Sequence, residues 1–119
     1  MAHGMTMRVL VVEDEPLISM MLEDFLDALD RSVAGSADSV ATALTLVEAG
    51  GIDAAILDVN LRGGEKSFPV ADALAERGVP FVFATGGGGE DIIDPHKGRP
   101  RLSKPYTMDA VEQALDDLA

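Results

Sequence analysis

Short runs of apolar residues alternate with longer stretches in which apolar positions recur every three or four residues. Arg8-Val9-Leu10-Val11-Val12 is continuously apolar after its first residue and stops at Glu13-Asp14-Glu15, the pattern of a strand buried on both faces. Pro16 stands where a first helical residue would, and Ile18, Met21, Leu22, Phe25, Leu26 and Leu29 then follow helical spacing. Ser32–Ser36 reads as a weaker strand. Asp38-Ser39 is a helix-start signal for a stripe of Val40, Ala43, Leu44 and Val47 that Gly50-Gly51 closes.

The alternation repeats three more times. Ala54–Leu57 predicts a buried strand ending on Asp58, and Pro69 opens a helix with Val70, Ala73 and Leu74 inward. Pro80–Ala84 predicts a fourth strand, followed by Thr85 and the glycines 86–89. Glu90–Gly98 has room for a helix of a turn or two. Arg101–Ser103 predicts a brief fifth strand, and a last helix from Thr107 carries Met108, Val111, Leu115 and Leu118 on one face. Five β-α repeats imply a parallel sheet with helices on both faces, because right-handed crossovers lay each helix back on the sheet.

Composition narrows the function classes. At 119 residues the chain is one domain, expected over 7–119, with Met1–Thr6 read as a disordered start or cloning remnant. It has no cysteine, which leaves out disulfides and thiolate metal sites. The formal charge of −12 opposes contact with nucleic acid or anionic lipid, and most of these acids read as solvated faces. No apolar run approaches the ~20 residues of a membrane span, and the opening residues lack a signal-peptide layout. Cytoplasmic is the expected location.

Ligands of parallel α/β sheets bind outside the carboxyl ends of the strands. Glu13 and Asp14 follow the first predicted strand, Asp58 the third, Thr85 the fourth and Lys104 the fifth. Crowded carboxylates repel unless a cation cancels their charge, and an all-oxygen set suits magnesium rather than zinc. A bare metal site has no use for Lys104, whereas a site receiving phosphate does. Asp58 then reads as the nucleophile that becomes an acyl phosphate, with magnesium and Lys104 screening the phosphoryl charge and Thr85 donating a hydrogen bond to it.

Glu13-Asp14, Asp58, Thr85 and Lys104-Pro105, in this order, resemble the receiver domain of two-component response regulators from Met7 onward. The resemblance implies a flavodoxin-like (βα)5 fold with strand order 2-1-3-4-5, in which the glycines 86–89 and the short Glu90–Gly98 segment predict a short or mobile fourth helix. It implies Asp14 and Asp58 as direct Mg2+ ligands, Glu13 acting through water, and the backbone carbonyl of Asn60 completing the shell. Thr85 matches the switch hydroxyl and Lys104 the phosphate-binding lysine. Phe83-Ala84-Thr85-Gly86, Asp58-Val59-Asn60-Leu61 and Lys104-Pro105-Tyr106 are similar to the FATGUY single-domain subgroup. Implied partners are a sensor histidine kinase, of the HWE type in that subgroup, or a histidine phosphotransfer protein, and a downstream protein. A phosphate-sink role is the other output.

The sequence departs from the family at several positions. Arg101 stands where receivers commonly carry an aromatic, which the subgroup lacks as well, Arg62 where many have proline, and Gly87 where the subgroup has an aromatic. Two rival functions exist. A haloacid-dehalogenase-type phosphohydrolase needs an acid where Asn60 stands, and Asn60 cannot transfer the proton. A non-phosphorylated interaction module would dispense with Asp58, Asp14 and Lys104, all of which are present. The glycines 86–89 read either as a flexible loop or as a segment ordered by phosphorylation. His3 and His96 read as exposed bystanders, Tyr106 as core.

Gly87 beside the phosphoryl site leaves the acyl phosphate open to water. Gly87→Tyr is expected to lengthen the half-life of phosphorylated Asp58, read by intact mass over time. An unchanged half-life would count against that exposure.

Overall fold

The structure is a computed structural model that describes residues 6–85, 101–103 and 106–118. The glycine run, the segment expected to hold a short fourth helix, and Lys104-Pro105 lie outside the described residues. The strands are β1 (Arg8–Val12), β2 (Ser32–Ala37), β3 (Ala54–Asp58), β4 (Phe81–Thr85) and β5 (Arg101–Ser103). The helices are α1 (Pro16–Ala28), α2 (Val40–Ala49), α3 (Phe68–Glu76) and α4 (Met108–Leu118). All strand pairs are parallel, and the sheet runs β2-β1-β3-β4-β5, the order the resemblance implies.

Local chemistry sets the ends of these elements. Pro16 opens α1, where its missing N–H costs nothing. The Ser39 hydroxyl accepts from Thr42 N at 3.2 Å and caps α2, and Gly50, at a φ of 80°, ends that helix. Thr107 Oγ1 accepts from Ala110 N at 3.1 Å and does the same for α4. After α1, Asp30 takes a left-handed φ of 59°, a position more often given to glycine.

The alternation of side chains along each strand divides the core into two layers. Leu10, Val12, Ala55, Leu57, Phe81 and Phe83 pack with α2 and α3. Val9, Val11, Ala54, Ile56, Val82 and Ala84 pack with α1 and α4. Covering both faces is why β1, β3 and β4 are apolar at successive positions rather than at alternate ones. On the α3 side, Phe83 meets Phe81 and Phe68 edge to face, with centroids 5.5 and 6.0 Å apart. The predicted stripes of α1, α2 and α3 all lie in these layers. In α4, Val111 and Leu115 are buried but Met108 is 40% exposed, so its expected inward position is corrected. It is the first residue of α4.

Tyr106 is buried among the α4-side residues, as expected. Leu57→Ala should lower stability by about 2–5 kcal/mol, the cost of a cavity in a closed core, in urea unfolding. Met108→Ala should stay within about 0.5 kcal/mol. Equal losses would contradict the two-layer assignment.

Candidate functional site

The crossover from β1 places β2 on one side of it, and the next, from β2, passes back over β1 to place β3 on its other side. The crevice at such a reversal opens at the carboxyl ends of the two central strands. Val12 and Leu57 are registered partners, so Glu13-Asp14 and Asp58 leave the sheet side by side. The backbone keeps them there. Glu13 N donates to Ala37 O at 2.9 Å, and Val59 N donates to Ala84 O at 3.3 Å.

Glu13, Asp14 and Asp58 each offer a carboxylate oxygen, and these oxygens lie within 4.8 Å of one another. Glu13 is 3% and Asp58 4% exposed, while Asp14 is half-buried. Glu13 Oε2 accepts from Glu15 N at 3.1 Å, which fixes the orientation of that carboxylate. Two such charges at this spacing repel by ~3–4 kcal/mol at an effective dielectric of ~20. A hard divalent cation offsets that, and a donor set of oxygens alone matches magnesium. An open cleft of about 320 Å³, lined by Glu13, Asp14, Pro16, Ser19, Ser36, Ala37 and Asp38, lies beside the first two of these acids.

The other expected residues fall around this cluster to different degrees. Thr85 is buried and ends β4, one residue beyond Ala84, the registered partner of Asp58. Thr85 itself pairs with Ser103 at the end of β5, and Lys104, the next residue, lies outside the described residues. Arg101, in the position where an aromatic is usual, is exposed. His3 and His96 lie outside the described residues.

Asn60 is half-buried and follows Asp58 after a bend at Val59. It begins a feature that sequence reading missed, since residues 59–67 fold back as a small hairpin. Asn60 pairs with Lys66 across an antiparallel bridge, and Lys66 Nζ donates to Asn60 Oδ1. Gly63 and Gly64 close the turn at φ 75° and 78°, backbone that side chains with a Cβ resist. On the far side of the hairpin, Glu65 Oε1 accepts from Val40 N at 2.9 Å and caps α2. The Gly-Gly pair between Asn60 and Lys66 was the available signal.

Comparison with known proteins places this architecture. Residues 9–116 match the family described as the response regulator receiver domain. The chain is 33% identical over 87 residues to the phyllosphere-induced regulator PhyR of Methylorubrum extorquens; this covers 71% of the chain but only 33% of that relative. The solution structure of SdrG from Sphingomonas melonis Fr1 is 62% identical with a TM-score of 0.85, covering 95% of this chain and 96% of that one. The BeF3-activated conformation of SdrG, from Pseudomonas melonis Fr1, is 63% identical with a TM-score of 0.80, covering 93% and 94%.

Glu65→Ala should destabilise the protein by about 0.5–1 kcal/mol through loss of the acceptor for Val40 N at the start of α2, while Glu65→Gln, which still accepts, should cost less. Thermal or urea unfolding of both variants checks this. A fully neutral Glu65→Ala would mean that the contact contributes nothing.

Proposed function

This chain belongs to the response regulator receiver domain family, and on that premise we propose that Asp58 is its phosphoacceptor, working with one magnesium ion held by Glu13, Asp14, Asp58 and the Asn60 carbonyl. The family consists of phosphoacceptor signalling modules of two-component systems rather than ordinary enzymes. The single observation that carries the residue assignment is the meeting of three carboxylates at the sheet's reversal point.

Each group then has a task. An oxygen of Asp58 attacks phosphorus, the bond from phosphorus to the donor's leaving group breaks, and an acyl phosphate remains on Asp58. Magnesium, when bound, supplies the positive charge that the three carboxylates and the phosphoryl oxygens share. The Lys104 ammonium pairs with a phosphoryl oxygen, and the Thr85 hydroxyl donates to another. In this sense the protein assists its own phosphorylation and dephosphorylation. Asn60 supports this over a phosphohydrolase, because an amide held by Lys66 offers no acid for the leaving group.

A phosphodonor histidine kinase and a downstream partner go with the family. For this chain we assign a sensor kinase of the HWE type or a histidine phosphotransfer protein as donor, by likeness to the FATGUY subgroup. Output passes through protein contacts around the β4–β5 edge and α4, or the protein drains phosphate from the kinase. A donor that draws on ATP places the exchange in the cytoplasm. Among the described residues no helix is long and apolar enough to cross a membrane.

Intact mass after incubation with acetyl phosphate and magnesium tests the assignment. The wild type should gain one phosphoryl group, and Asp58→Asn or omission of magnesium should abolish the gain. A gain that survives Asp58→Asn would move the phosphoacceptor elsewhere. If no gain appears and beryllofluoride with magnesium does not bind either, the protein is an interaction module independent of phosphate.

A further inference from the structure

Lys66 has no part in the chemistry above, yet the backbone places it beside the site. Leu61 N donates to Glu65 O at 2.7 Å, and Ser67 N donates to Val59 O at 3.1 Å. These two bonds flank Asn60 and Lys66 and make them a non-hydrogen-bonded antiparallel pair. In that type of pair the opposed side chains share a face and stand closest together. The contact from Lys66 Nζ to Asn60 Oδ1 is thus a consequence of register as well as of rotamer.

The chemistry of the contact sets an orientation. An ammonium only donates, so it selects the oxygen of the amide and turns the amide nitrogen away from itself. Leu57, Val59 and Leu61 all enter the layer under α2 and α3, so Asp58 and Asn60, which alternate with them, stand on the other side. We infer that Lys66 is a positioning residue, fixing the Asn60 amide at the mouth of the phosphoacceptor site so that its donor faces the phosphoryl oxygens. This inference rests on phosphorylation of Asp58.

The consequence falls on the lifetime of the acyl phosphate. In hydrolysis a water oxygen attacks phosphorus, the bond from phosphorus to the Asp58 oxygen breaks, and the water's proton leaves with inorganic phosphate. An amide oxygen turned inward would accept a hydrogen bond from that water and align it. With the oxygen engaged by Lys66, the water finds a donor instead. Releasing the amide therefore speeds hydrolysis.

The test compares wild type, Lys66→Ala, Lys66→Arg and Gly64→Val, the last breaking the turn that sets the register. Each is phosphorylated with acetyl phosphate and magnesium, the donor is removed, and loss of the phosphoryl group is followed by intact mass. Lys66→Ala and Gly64→Val should decay about two- to tenfold faster, the span one ordinary hydrogen bond supports. Lys66→Arg, which keeps a donor, should stay close to wild type. In the unphosphorylated proteins, the Asn60 side-chain amide resonances should move in Lys66→Ala and much less in Lys66→Arg.

Equal decay in wild type and Lys66→Ala, or an arginine variant as fast as the alanine one, overturns the positioning role alone. Asn60 amide resonances that ignore Lys66→Ala do so too, without any phosphorylation. A wild type that takes no phosphoryl group on Asp58 overturns the phosphoacceptor assignment, and this inference with it.

Discussion

Three carboxylates held within 4.8 Å of one another, two of them almost fully buried, set the demand that the rest of the structure meets. Left to themselves they would drive the carboxyl ends of β1 and β3 apart. The sheet resists because both strands are pinned on each side, β1 between β2 and β3, and β3 between β1 and β4. Central strands covered by helices on both faces have little freedom to splay. Repulsion is instead answered at the open end of the sheet, where a cation and a phosphoryl group can reach the oxygens.

The same division explains where the chain spends its polar residues. The central strands β1, β3 and β4 are nearly all apolar, and Glu13, Asp14, Asp58 and Thr85 stand at or just beyond their carboxyl ends. Loops there can change residue identity without disturbing the core, which suits a family that reuses one scaffold with many outputs. Arg101, exposed at the start of β5, is a difference of another kind. Receivers commonly carry an aromatic there, and this chain offers no ring at that position.

The hairpin after β3 joins two tasks in one short segment. Its register directs Glu65 to the start of α2 and Lys66 to Asn60, because neighbouring residues on extended chain face opposite ways. A change at the acidic site is therefore one residue removed from a contact that holds a helix end. Gly63 and Gly64 make this possible by closing the turn with left-handed backbone at two successive positions.

Much of this was legible in the sequence by itself. Hydrophobic period located all five strands and four helices, with small differences such as α3 beginning at Phe68 rather than Pro69. Acids at the ends of apolar runs marked Glu13, Asp14 and Asp58 as candidates, since a residue just after a strand of a parallel sheet must lie on its working edge. Tertiary structure alone decided the rest. Period carries only local geometry, so it could not place Asp58 beside Asp14 until β3 was set next to β1. Nor could it turn Met108 outward at the end of a helix, or bring Lys66 to Asn60. Those depend on which backbone segments lie opposite one another, a property of strand order and register that no single stretch of the chain contains.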